Sequence, residues 1–148
     1  MLILSYNSRV STGQKNFYDA KATCDGVNGK LAETKNKVID DELRKEAFKL
    51  LDGKRYWLGI TNSASEGSWR YASNNKTVDF TNWWYGRPNP SQPDGGSSKN
   101  CAIMKGYDTL DRGYWFDYPC YSKHYFICEF TNTPALELQQ WVPEQKNG

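Results

Sequence analysis

Four cysteines constrain the fold of this chain more than any other feature: Cys24, Cys101, Cys120 and Cys128. They form no Cys-x-x-Cys motif, and the chain has a single histidine, His124, so a zinc site is not indicated. An even number of cysteines in a chain of 148 residues is typical of disulfide bonds formed in an oxidising compartment. The residues alone leave the pairing of the cysteines open.

Length and composition exclude several classes of protein. A chain of 148 residues is predicted to form one domain, and the 15 % of aromatic residues favours an aromatic-rich core. The 19 basic and 17 acidic residues give a net charge of +2 without a basic run, so no nucleic-acid partner is predicted. A mean hydropathy of −0.82 without a long apolar stretch predicts no membrane span. With one histidine and neither a nucleophile motif nor a phosphate loop, the chain is predicted not to be an enzyme.

The spacing of apolar residues predicts a first helix. Residues at intervals of three and four share one of its faces: Phe17, Ala20, Cys24 and Val27. Asn16 is the expected N-cap, and Gly29 is the expected C-terminal stop.

A second helix follows, with Asn36 as its expected cap and Gly53 at its end. Its apolar face comprises Ile39, Leu43, Ala47 and Leu50. The opposite side is predicted to be solvated: Asp40, Asp41, Arg44 and Lys45.

Short strands are predicted over residues 2–10, 55–61, 69–71, 78–80, 102–104, 114–117 and 125–130. Residues 84–100 lack periodicity and are rich in Pro, Gly, Ser and Asn, which predicts one long functional loop. Helices followed by strands indicate an α+β domain.

An ordered series of motifs links these elements: Cys24, Trp57-Leu58-Gly59, Trp83 with Gly86-x-Pro88, Cys101, Trp115-x-Asp117-x-x-Cys120 and Cys128. This series resembles the C-type lectin-like domain over residues 1–130, which leaves 131–148 as a C-terminal tail without predicted regular structure. The resemblance implies two helices, two small antiparallel sheets and a long irregular loop. It also implies the disulfides Cys24–Cys128 and Cys101–Cys120.

Sugar-binding members of this family hold calcium through oxygen side chains, as the ion requires. Carried over by position, the resemblance places Arg87 and Asn89, then Lys99, then Phe116 and Asp117 at the ligand positions of the main calcium site. Two of these are cations and one is an apolar ring, so calcium binding is expected to be weak or absent. At the family's second calcium site, Asn62 and Glu66 keep two positions, whereas Pro90, Lys99 and Asn100 occupy others.

A second alignment of the loop stays open. Gln92-Pro93-Asp94 also matches the family triplet, in the form that the family associates with galactose-type sugars. In that alignment Gln92, Asp94 and Asp117 are the candidate metal ligands.

The resemblance implies a secreted recognition domain that binds a glycan or glycoprotein. Alternatives are a calcium-independent protein ligand and, less favoured, ice or mineral, and a homodimer is one expected assembly because members of the family often pair. Aromatic residues predicted to contact the ligand are Trp84, Tyr85 and Tyr107, whereas Trp83, Trp115 and His124 are predicted to be structural. Asn75 begins the single N-glycosylation motif, Asn75-Lys76-Thr77.

Overall fold

The computed structural model describes residues 2–4, 8–50, 54–63, 67–83, 99–105 and 114–130. Within these ranges the chain forms two helices, α1 (Phe17–Asp25) and α2 (Lys37–Leu50). It also forms eight strands: β1 (Leu2–Leu4), β2 (Ser8–Val10), β3 (Lys30–Leu31), β4 (Arg55–Thr61), β5 (Arg70–Tyr71), β6 (Cys101–Lys105), β7 (Trp115–Tyr118) and β8 (Tyr125–Glu129).

The strands join in the order β1-β2-β8-β4-β6-β7, with β3 beside β8 and β5 beside β4. The predicted α+β class is confirmed. The two antiparallel sheets that we expected are continuous, because β4 and β8 pair in parallel through Tyr56 with Tyr125 and Trp57 with Phe126. The first and last strands of the domain are thereby joined to its centre.

α1 forms as its pattern predicts. The side chain of Asn16 accepts a hydrogen bond from the Asp19 N–H at 2.9 Å and caps the helix, and the apolar face is buried at Phe17, Ala20 and Cys24. The predicted stop at Gly29 is wrong, because the helix ends at Asp25 with Gly26 as its C-cap. Gly29 is instead required by close packing, since a Cβ there would lie 2.7 Å from the Phe130 ring and 2.9 Å from the Glu129 carbonyl oxygen.

α2 is also capped as predicted, by the Asn36 side chain, which accepts from the Ile39 N–H at 2.9 Å. Leu43 is buried against the sheet. The predicted solvated face is wrong at one position: Asp40 has no exposed surface, whereas Asp41 pairs with Lys37 and Arg44 on the outside of the helix. The predicted stop at Gly53 lies outside the described residues.

Two strand predictions need correction. The strand expected over residues 2–10 is two antiparallel strands, with Leu2 opposite Val10 and Leu4 opposite Ser8. Residues 78–80 form no strand, because the ladder from β5 extends only to a bridge at Thr77 and one further bond, from the Val78 N–H to the Trp69 carbonyl.

Both predicted disulfides are confirmed. Cys24–Cys128 joins α1 to β8 with 5.4 Å between Cα atoms, and Cys101–Cys120 joins the start of β6 to the turn after β7 with 5.2 Å. In the described part of the chain, no helix combines the length and apolarity needed to cross a bilayer.

Candidate functional site

The predicted ligand residues divide into two groups. Lys99, Phe116 and Asp117 belong to the described structure. The others lie outside the described residues: Trp84, Tyr85, Arg87, Asn89, Gln92, Asp94 and Tyr107. The structure therefore shows the base of the predicted site, which is built by β6, β7 and the residues that flank residues 84–98.

Phe116 and Asp117 are neighbours on β7 but occupy opposite faces, since successive side chains of a strand alternate. Asp117 is 2 % exposed, on the side of Trp115. Phe116 packs against the other face of the sheet, and the ammonium of Lys105 lies 5.1 Å from the centre of its ring. Phe116 is therefore a packing residue in contact with a cation on the strand surface.

Next to Lys99, a polar cluster joins the β4–β5 connection to the start of β6. The carbonyl of Asn100 accepts from the Thr61 hydroxyl at 2.7 Å and from the Asn62 N–H at 3.0 Å. With the Asn62 amide oriented to satisfy its neighbours, its nitrogen donates to Asn100 Oδ1 at 2.8 Å and its oxygen accepts from the Gly67 N–H at 3.3 Å. Two positions of the family's second calcium site thus bond to each other.

The described residues at the main calcium positions do not fit a calcium ion. Lys99 offers an ammonium and Phe116 a hydrocarbon ring, and neither supplies the oxygen that calcium requires. Asp117 supplies a carboxylate, but it is buried. Among the described side chains, no three His, Cys, Asp or Glu residues form a metal-binding group.

A buried carboxylate fastens the base of this region to α2. Asp40 Oδ1 accepts from the indole N–H of Trp115 at 2.8 Å, and its Oδ2 accepts from the Asn82 amide at 2.9 Å. The backbone N–H of Trp115 in turn donates to the Asn82 carbonyl at 2.9 Å. Burial raises the pKa of the Asp40 carboxyl, while the two hydrogen bonds act in the opposite direction.

The roles of Asp40 and Asn82 were not predicted from the sequence, although one signal was present. Asp40 lies three residues before Leu43 and therefore on the same side of α2 as that buried side chain. An acidic residue on a buried helix face requires a partner. The partner is an indole 75 residues away, which helical periodicity does not reveal.

A cluster of aromatic rings in edge-on and tilted contact lies beside this carboxylate. The ring centroids of Trp83 and Trp115 are 5.5 Å apart, those of Trp69 and Trp83 are 4.8 Å apart, and Phe80 meets Trp115 edge-on at 5.9 Å. Trp83 also pairs with Trp115 through a parallel backbone bridge. Trp83, the residue that precedes 84–98, is thus packed between other aromatic rings.

His124 packs edge-on against Trp57 at 4.9 Å and against Tyr118 at 5.2 Å. Burial and then the charge of Arg55 lower the pKa of His124 to about 4, so the ring is neutral at physiological pH. This environment supports the predicted structural role.

Asn75 stands on an exposed turn with a left-handed backbone, φ 61°. The turn is held by the Asn75 N–H bonded to the Tyr71 carbonyl at 2.9 Å and by the Ser73 N–H bonded to the buried Glu33 carboxylate at 3.2 Å. Glycosylation of Asn75 stays a prediction.

The family model of the Lectin C-type domain matches residues 13–130. The chain therefore belongs to the C-type lectin domain family. Perlucin from Haliotis laevigata is 32 % identical over 136 residues, which are 88 % of this chain and 83 % of perlucin. C-type lectin domain family 3 member A from Bos taurus is 32 % identical over 120 residues, 80 % of this chain but only 56 % of that relative.

Solved structures show the same fold. The mouse scavenger receptor C-type lectin carbohydrate-recognition domain superposes with a TM-score of 0.69 at 26 % identity, over 86 % of this chain and 93 % of that domain.

Proposed function

We propose that this chain is a secreted, non-catalytic recognition domain that binds a glycan mainly through direct contacts, with calcium weakly held or unnecessary. The observation that carries this proposal is the chemistry at the described ligand positions. Lys99 and Phe116 replace oxygen donors there, and Asp117 is buried. A cation repels calcium, but it donates well to sugar hydroxyl, acetamido or carboxylate groups.

The glycan part of the proposal is supported by the likeness to the mouse domain, whose description is a carbohydrate-recognition domain. The described base supports a fixed rather than an adaptable site, because Trp83 and Trp115 are packed together where residues 84–98 begin. Arg87, Lys99 and the predicted aromatics Trp84 and Tyr85 would then supply cations and stacking surfaces.

Secretion is supported by the two disulfides, which persist in oxidising compartments.

A glycan array run in millimolar calcium and again in EDTA tests the proposal. We expect the same glycans to bind under both conditions. Binding only in calcium would contradict direct recognition and would favour Gln92, Asp94 and Asp117 as ligands. If no glycan binds in either condition, the alternative of a protein ligand replaces the proposal.

Charge reversal at Lys99 sharpens this test. We expect Lys99→Glu to weaken binding to the best glycan about tenfold in EDTA, since a charge-assisted hydrogen bond is replaced by repulsion. Lys76→Glu, on the exposed turn that follows β5, is the matched control and should leave the affinity unchanged. Equal loss in both variants would show that net charge, and not a contact at Lys99, drives binding.

A further inference from the structure

Two exposed tyrosines are held in contact where α1 begins. Tyr18 is 44 % exposed and Tyr121 is 77 % exposed, and their ring centroids lie 5.4 Å apart with the ring planes tilted by 48°. Among the described side chains these are the two exposed tyrosines. The separation is that of rings in direct contact.

The backbone next to each of these two tyrosines is held in place. The Phe17 N–H donates to the Cys120 carbonyl at 2.9 Å, so the residues that precede the two tyrosines are bonded to each other. Cys120 is further held by its disulfide to Cys101, and the Phe17 ring is packed edge-on against Trp57 at 5.7 Å. The rings themselves are exposed and can turn quickly, whereas their attachment points stay together.

We propose that Tyr18 and Tyr121 form an oxidative modification site, at which a haem peroxidase and hydrogen peroxide join the two rings as an intramolecular dityrosine. Each phenol gives up one electron and one proton, and the peroxide is reduced to water. The two phenoxyl radicals combine through one new carbon–carbon bond between ring positions ortho to the hydroxyls. The hydrogens on those carbons return to the oxygens, so the product has lost two hydrogen atoms and keeps both phenols.

The new bond would join parts of the chain close to those that the Cys24–Cys128 disulfide joins. Tyr18 lies on α1, which also carries Cys24, and Tyr121 lies shortly before β8, which carries Cys128. The disulfide between these two cysteines spans 104 residues. While that disulfide is intact, the new bond closes only the short loop that runs from Tyr18 through Cys24–Cys128 to Tyr121, so it adds less stability than it does after reduction. Once the disulfides are reduced, the dityrosine is expected to keep the start of α1 joined to the turn between β7 and β8.

Dilute, full-length protein treated with peroxidase and hydrogen peroxide tests this site. We expect dityrosine fluorescence in the monomer band, an intact mass lower by two hydrogen atoms, and a cross-linked peptide pair containing Tyr18 and Tyr121. Tyr18→Phe and Tyr121→Phe should each abolish the monomeric product. Tyr125→Phe is the matched control, because Tyr125 contacts Tyr56 at 6.3 Å but Tyr56 is fully buried and should not be oxidised.

A second measurement follows the purified product after reduction of its disulfides. The linked protein should unfold at a higher urea concentration than the reduced, unlinked protein. Dityrosine found only in dimers, found in monomers between other tyrosines, or missing while free tyrosine is coupled in the same mixture would each overturn the proposal. A far-ultraviolet circular dichroism spectrum confirms that each variant is folded.

Discussion

The two faces of the central sheet are fastened in different ways. One face packs against α1 around Trp57 and Phe126, and its buried cluster includes all four cysteines of the chain. The other face packs around Trp115 and Leu43, and a buried carboxylate, Asp40, ties α2 to the strands there. Disulfides add to the aromatic packing of the first face, whereas a buried carboxylate and aromatic packing hold the second.

The second face is the one that leads into residues 84–98. Asn82 and Trp83 end the described chain on that side, and both contact Trp115 through their backbones. The disulfides therefore lie on one face of the sheet, and the residues that lead into 84–98 are held on the other face by noncovalent contacts. The predictions below test how much each kind of contact contributes to stability.

The largest effect is expected from the disulfide between α1 and β8. Replacing Cys24 and Cys128 with Ala should lower the free energy of unfolding by about 4–5 kcal/mol, because this bridge spans 104 residues. Replacing Cys101 and Cys120 should cost about 3 kcal/mol, since that bridge spans 19 residues. Urea denaturation followed by circular dichroism measures both. Equal losses would show that local strain or packing, and not loop entropy, decides the contribution of each bridge.

A smaller effect is expected on the other face. Asp40→Ala should lower the free energy of unfolding by about 2–3 kcal/mol, because the Trp115 indole N–H and the Asn82 amide lose their buried acceptor. Asp40→Asn should cost less, since the amide oxygen still accepts from Trp115 and the Asn82 amide can turn to present its oxygen. The measurement is urea denaturation followed by circular dichroism.

Asp41→Asn is the matched control for Asp40, one residue along the same helix. Asp41 pairs with Lys37 at 2.7 Å on the exposed side, so its replacement should change the free energy of unfolding by less than about 1 kcal/mol. If Asp41→Asn destabilises the protein as much as Asp40→Ala, the buried carboxylate is not what fastens this face.

The buried face of α1 could be predicted from the sequence, whereas the burial of Asp40 could not. The apolar face of α1 was predictable because Phe17, Ala20 and Cys24 repeat at helical intervals, which a single helix reveals. Asp40 was not, because its burial depends on a donor from a strand that lies far along the chain. The strand predicted over residues 78–80 failed for a related reason: Phe80 packs beside Trp115 without joining a ladder.

The candidate site was predictable to a different extent. The disulfides followed from the family resemblance. The same resemblance assigned ligand positions to Lys99, Phe116 and Asp117, and that assignment stays a prediction. The direction of the side chains was not predictable, because the resemblance assigns positions along the chain and does not show that Phe116 and Asp117 lie on opposite faces of β7 or that Asp117 is buried.

The last prediction separates the two faces by the pH dependence of the free energy of unfolding. The pKa of His124, on the face with the disulfides, is lowered from 6.5 to about 4. The unfolded chain therefore binds a proton more readily than the folded protein between these values, and the stability that His124 contributes is present above pH 6.5 and lost as the pH falls toward 4. Asp40, on the other face, has a raised pKa, so its contribution to stability has the opposite sign. That contribution is present at low pH and is lost as the pH rises through the raised pKa.

The pH dependence of the unfolding free energy that each residue causes can be removed separately. Because His124 is partly exposed, its replacement by Gln should remove only about 1–2 kcal/mol of the loss in unfolding free energy between pH 6.5 and 4. Asp40→Asn should instead steepen the loss on acidification, because it removes the group that gains stability at low pH. Unfolding free energies of the wild type and both variants, measured by urea at steps across this range, give the two differences directly, and the remaining carboxylates cancel in each difference. A shift of the same sign in both variants would mean that the two faces are not separate electrostatic environments, and the division drawn between them would fail.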